Sequence, residues 1–412
     1  MSLLKRLRKN LIYKTIGEII SRTLAFVYYV VLARMLGVEM FGIYSFTFSF
    51  SAVFMIFLDF GMNTVLVRDI SANPELKQKY VSNIFSLKII IFIIYISILI
   101  LNYPKNIVVL VLLMGIILVG TAFLEFFNSI FSSVEKMEYE AVIKIVNKIL
   151  LVVCSFLVLR FGYKLKGVVL SNILVYLMSC LLCIPFIIKI VEKIGFDLDL
   201  LFIKKILLVS LSIGITTTII IIYSKIDVIL LSFLKQPESE IGLYGAIVKL
   251  YEVSQGIPLL IVGASLPIFS DLYKNSKNKF RKFFKNIIMI TFATSIIVLA
   301  IFLFFPELII RIVYGKNFLS AVLPLKIIMA SVIFMFVNYV FMSFLIVVKK
   351  QKLNVLFIVI TLFVNIFCNM FLIQKIGYVG ASVSKLISEF ILFCGLTYFV
   401  IIYFIKDKLY YE

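Results

Sequence analysis

Apolar runs separated by short polar turns recur from one end of the chain to the other. Each run is long enough to cross a bilayer as a helix, which takes about 20 residues at about 1.5 Å per residue. The pattern predicts about twelve spans, near 11–36, 40–66, 79–103, 106–132, 139–160, 166–188, 203–234, 240–270, 284–305, 319–348, 351–375 and 378–405. The connections are turn-like: "ANPELKQ", "NYPKN", "FGYKLKG", "KQPESE" and "YKNSKNKFRK". Only the short apolar patch "FPELIIRIVYG" suggests a further element. The opening "MSLLKRLRKN" looks like the basic start of a signal peptide. The segment after it is too long and lacks a cleavage site, so it reads as a retained first span.

Basic residues fall unequally on the two sides of these spans. The side carrying both termini holds roughly 23 Lys and Arg and the other about 9, which predicts a multi-pass protein of the cell membrane with both termini cytoplasmic. The halves also echo each other. "FGIYSF" at 41–46 returns as "IGLYGA" at 241–246, "VRDIS" at 67–71 as "FSDLY" at 269–273, and "KLKGVVLSN" at 164–172 as "KIGYVGASV" at 375–383. Six spans per half make these parallel repeats about an axis along the membrane normal. The expected domains are therefore a six-helix bundle over 1–200 and another over 201–412, an all-α integral membrane fold.

Composition narrows the chemistry. Hydrophobic residues make up 63% of the chain and the mean hydropathy is +1.15, far from a soluble domain. Histidine and tryptophan are absent, which removes the usual general base and the commonest metal ligand. Cys154, Cys180, Cys183, Cys368 and Cys394 all lie in apolar runs, where cysteine acts as a small hydrophobe. No catalytic residue, metal or cofactor is expected, and the chain does not read as an enzyme. The net charge of +20 resides in loops and spans of a membrane protein, so it does not point to nucleic acid.

The string "ARMLGVEMFGIYSF" followed by "LDFGMNTVLVRDIS" resembles the opening of polysaccharide-biosynthesis membrane proteins of the O-antigen flippase type. These belong to the multidrug/oligosaccharidyl-lipid/polysaccharide exporter superfamily. The likeness resumes at "KIDVILLSFLKQPESEIGLYGAIVKLYE", "RIVYGKNFLSAVLPLKII" and "IGYVGASVSKLISE", so it runs end to end. It implies two six-helix bundles forming a V and the movement of lipid-linked sugars across a membrane, with glycan-assembly enzymes as candidate partners. It supplies no universal substrate motif, so site residues must come from the charges.

Ionisable groups inside spans cost free energy unless paired or hydrated, which marks them as functional candidates. Nine cations (Lys14, Arg22, Lys88, Lys144, Lys148, Lys225, Lys249, Lys326, Lys385) face six acids (Glu18, Asp59, Glu125, Asp227, Glu252, Glu389). That surplus favours an anionic guest. Lys14, Glu18 and Arg22 form one helical stripe. Lys249 with Glu252 and Lys385 with Glu389 are spaced as same-helix pairs, whereas Lys225 and Asp227 must find partners elsewhere. Lys88 and Lys326 have no same-helix acid. Arg22, Lys14, Lys88, Lys148, Lys249 and Lys326 are the candidates for an anionic headgroup, with Arg22 foremost because a guanidinium grips phosphate through two oxygens at once. Asp59, Glu125 and Asp227 are candidates for carrying a coupling ion.

The leading expectation is a carrier that flips a polyprenyl-(pyro)phosphate-linked oligosaccharide from the cytoplasmic to the outer leaflet by alternating access. A multidrug exporter of organic cations would want acidic charge in the spans. A membrane glycosyltransferase or polysaccharide polymerase would want placed carboxylates on sizeable outward loops, and the outward loops here are short. There is no G-x-x-x-x-G-K-[ST] stretch for ATP.

Overall fold

The computed structural model describes residues 3–102, 105–191 and 195–409, and these contain helices and turns but no strand. Helix is what an apolar medium demands, because each backbone donor and acceptor must be satisfied within its own segment. The first elements are α1 (Leu3–Phe54), α2 (Ile56–Asp59), α3 (Met62–Ala72), α4 (Lys77–Asn102), α5 (Lys105–Ser133), α6 (Met137–Arg160), α7 (Leu165–Val191) and α8 (Leu200–Phe233). There follow α9 (Glu238–Ser254), α10 (Gly256–Asn275), α11 (Lys277–Phe304), α12 (Pro306–Val313), α13 (Val322–Ala330), α14 (Val332–Val347) and α15 (Gln351–Leu409). Residues 1, 2, 103, 104, 192–194 and 410–412, which take in part of the expected connection "NYPKN", lie outside the described residues.

Nine helical stretches among the described residues are long and apolar enough to cross a membrane. Two of them hold two crossings each. Ile12–Ala72 is divided at Gly37 (φ 76°), and Gln351–Ile405 is divided at Ile376 and Gly377. With α4 added, all twelve expected spans fall on helix. The apolar patch at 305–315 folds as α12. The spans are less continuous than their hydropathy suggests: the second breaks at Phe60 and Gly61, the eighth at Gln255, and the tenth bends at Ser331.

Three hairpins close with one device. Glu135, Lys235 and Lys349 each adopt a positive φ, and the next amide reaches back five residues: Lys136 to Phe131 at 2.9 Å, Gln236 to Leu231 at 3.0 Å and Lys350 to Leu345 at 2.7 Å. This Schellman closure satisfies the last carbonyls of α5, α8 and α14 where the chain leaves the apolar phase. At the start of α8, Asp199 accepts the Phe202 amide as an N-cap and pairs with Lys79 at 2.8 Å. The Lys79 ammonium holds that carboxyl below the usual carboxylate range.

The chain packs as two units, one of Met1–Leu36 with Phe46–Ile221 and the other of Gly37–Ser45 with Ile222–Glu412. In the first, α7 packs on both α5 and α6. In the second, α14 packs on α10, α11 and α15 around Phe269, Phe280, Phe284 and Phe344. Residues 37–45 belong with the second unit because their backbone lies against α9. A Cβ on Gly42 would meet the Glu238 carbonyl at 1.8 Å, and a Cβ on Gly242 would meet the Val38 carbonyl at 2.0 Å. The contact is reciprocal, and its partners are separated by the same 200 positions as the repeat "FGIYSF"/"IGLYGA".

Candidate functional site

The opening stripe belongs to an ion-pair chain in the first unit. Arg22 donates through Nε to Glu18 at 2.8 Å, one helical turn away. Glu18 also faces Lys144 of α6 at 3.5 Å, and Lys144 pairs with Glu140 at 2.7 Å. Ser132 closes the chain by donating to Glu140 at 2.5 Å. Arg22 remains 58% exposed and Glu18 44% exposed. Because only Nε is engaged, the two terminal amino groups of Arg22 have no hydrogen-bond partner among the described residues. Lys14 is exposed on the same helix without an ion-pair partner among the described residues.

Deeper in this unit Lys88 meets Asp59 at 3.5 Å, so a headgroup candidate and an ion-coupling candidate occupy one place. Glu125 lies on the surface of α5, within electrostatic reach of Asp59, Lys88, Lys144 and Lys148. The Lys148 ammonium sits 6.0 Å from the Tyr176 ring centroid. The structure thus gathers Asp59, Lys88, Glu125 and Lys148 in one region.

The second unit holds its charges more tightly. Lys249 and Glu252 form the same-helix pair their spacing suggests, and Glu252 also takes Lys225 of α8 at 2.8 Å. One carboxylate therefore bridges two ammonium groups. The expected Lys385 and Glu389 pair does not form. Lys385 lies 3.9 Å from Asp227 and 3.5 Å from the Tyr223 ring centroid. Glu389 accepts instead from Tyr223 at 2.9 Å, Tyr251 at 3.1 Å and Asn338 at 3.0 Å. Three neutral donors satisfy a buried carboxylate without a cation, which releases Lys385 to the acid on α8. Asp227 is further held by Tyr244 at 3.0 Å and Asn369 at 2.7 Å. Lys326 is half-buried on α13 with no ion-pair partner among the described residues.

Sequence reasoning missed these phenols and amides. Tyr244 and Tyr251 are seven apart on α9, and Asn365 and Asn369 four apart on α15, so each pair shares a helix face. Polar residues at that spacing in an apolar run were the available signal. Among the described residues no group of three or more Cys, Asp or Glu side chains is placed to hold a metal ion.

Long apolar helices carrying internal ion-pair networks define a multi-pass membrane protein built from two helical units. The chain belongs to the polysaccharide biosynthesis protein family, whose profile matches residues 7–273. The capsular polysaccharide biosynthesis protein CapF of Staphylococcus aureus is 20% identical over 398 residues, covering 95% of this chain and 98% of that protein. The lipid II flippase MurJ in an inward closed conformation superposes with a TM-score of 0.79 at 16% identity, over 95% of this chain and 87% of that one. An inward-facing multidrug resistance MATE family transporter of the MOP superfamily superposes with a TM-score of 0.71 at 13% identity, over 92% and 93%. The two-bundle MOP fold is therefore the fold of this chain.

Proposed function

We propose that this protein flips a polyprenyl-(pyro)phosphate-linked oligosaccharide from the cytoplasmic to the outer leaflet by alternating access, in the assembly of a surface polysaccharide. The observation that carries the proposal is Arg22. Its guanidinium is tethered to Glu18 by one edge while its terminal amino groups stay open, which is the geometry needed to take two phosphate oxygens. Lys14 on the same helix and Lys148 add point charge in the first unit, and Lys249 and Lys326 do so in the second. Asp227 and Glu125 are the acids we assign to ion coupling. The family and the capsular relative support the polysaccharide context.

Binding provides the test. Purified protein should bind a lipid pyrophosphate with an affinity that falls as salt rises, and should ignore quaternary-ammonium drugs. Binding of such drugs with no affinity for the pyrophosphate would favour an organic-cation exporter. Orientation is tested separately. A reporter placed at Ser276, between α10 and α11 in the segment "KNSKNKFRK" at 274–282, should read cytoplasmic, because that side holds roughly 23 basic residues against about 9. An external signal would reverse the direction of transport proposed here.

A further inference from the structure

The second span is interrupted inside the apolar run, and the two sides of the break are closed by charged side chains. Helix α2 stops at Asp59, Phe60 (φ 42°) and Gly61 (φ 81°) are both left-handed, and α3 begins at Met62. Backbone exposed at such depth needs partners from the protein itself. Leu58, in the last turn before the break, gives its carbonyl to the Lys88 ammonium at 2.6 Å. Asp59 turns its carboxylate to the Asn63 amide at 3.2 Å, inside the first turn of α3. A cation thus sits at a helix C-terminus and an anion at the next N-terminus, the signs each end favours.

Lys88 is committed to this position. It is 1% exposed, with Asp59 at 3.5 Å and the Phe126 ring centroid at 5.8 Å on its other sides. Leu58 beside it packs with Val119 and Ala122. The break also governs a neighbour. A Cβ on Gly214 would lie 2.6 Å from the Phe60 carbonyl, so α8 meets the left-handed turn backbone to backbone. Helix α8 runs on past Ile221 into residues of the second unit.

We propose that Lys88 and Asp59 are positioning residues: they hold the second span in its interrupted form, and with it the seat of α8, while neither touches the transported headgroup. The transport and pyrophosphate-binding arms of this inference rest on the flippase reading; the stability arm does not. The experiment compares Lys88→Met, Asp59→Asn and Gly214→Ala with the full-length wild type in lipid vesicles. Gly214→Ala leaves every charge in place and disturbs only the contact with the break.

Affinity for inorganic pyrophosphate should stay within about twofold of wild type in all three, while turnover falls about tenfold or more with KM unchanged, the pattern of a group acting through another. In detergent, the thermal midpoint of Lys88→Ala should drop and be partly restored by methylammonium, with no such effect on wild type. A tenfold loss of pyrophosphate affinity in Lys88→Met would overturn the proposal by making Lys88 a ligand of the guest. A midpoint indifferent to methylammonium, or full turnover by Gly214→Ala, would overturn it as well. Absence of flipping by the wild type would count against the flippase reading alone, since the methylammonium arm needs no transport.

Discussion

Arg22→Ala is expected to abolish glycan export while the protein still inserts and folds. Loss of a bidentate, charge-assisted contact corresponds to about 1.5–3 kcal/mol, or roughly ten- to a hundredfold in headgroup affinity. Stability should change little, because removing Arg22 does not strand Glu18: the carboxylate keeps Lys144 at 3.5 Å. The pair itself is more than two-fifths exposed on both sides, where such bridges contribute about 1 kcal/mol or less. Arg22→Lys should recover part of the export, since charge returns without the fork. The double variant Glu18→Gln with Arg22→Gln separates function from pairing. Full export by that variant would reduce the stripe to an internal structural feature.

The second large effect is expected at the glycine crossing. Ala at position 42 or 242 places a methyl group about 2 Å from a backbone carbonyl, and backbone cannot rotate away as a side chain can. Each single variant should lower the thermal midpoint in detergent by a similar amount, the size of an overpacking cost of about 3 kcal/mol. The double variant should cost less than the two singles together, because one separation of the helices accommodates both methyl groups. Equal tolerance of both alanines would show that residues 37–45 and α9 do not meet this closely in the folded protein.

What the sequence reveals here depends on the range of the interaction. Spans are legible because a single helix must satisfy its own backbone, and hydropathy reports that locally. The same locality made the Glu18 and Arg22 pair and the Lys249 and Glu252 pair readable from spacing alone. It failed at Lys385 and Glu389, where the right spacing was overruled by Tyr223, lying 166 positions from the acid it serves. The partnership of Lys88 with Leu58 and Asp59 was likewise hidden, because it joins α4 to a break that no hydropathy window registers. "LDFGMN" carried the only hint, a glycine two positions after an acid in the middle of an apolar run. The exact 200-residue offset between Gly42 and Gly242 was visible in the repeat, but only the folded chain shows that the two residues touch.

Movement of the lipid-linked sugar between leaflets can be measured directly. Purified protein would be reconstituted into vesicles with a fluorescent polyprenyl-pyrophosphate-linked oligosaccharide, and its passage between leaflets followed by protection from an added quencher. Rapid exchange is expected of the wild type, suppressed by rising salt and absent in Arg22→Ala. Vesicles that leave the lipid-linked sugar in its original leaflet while driving uptake of a quaternary-ammonium drug would contradict the flippase reading.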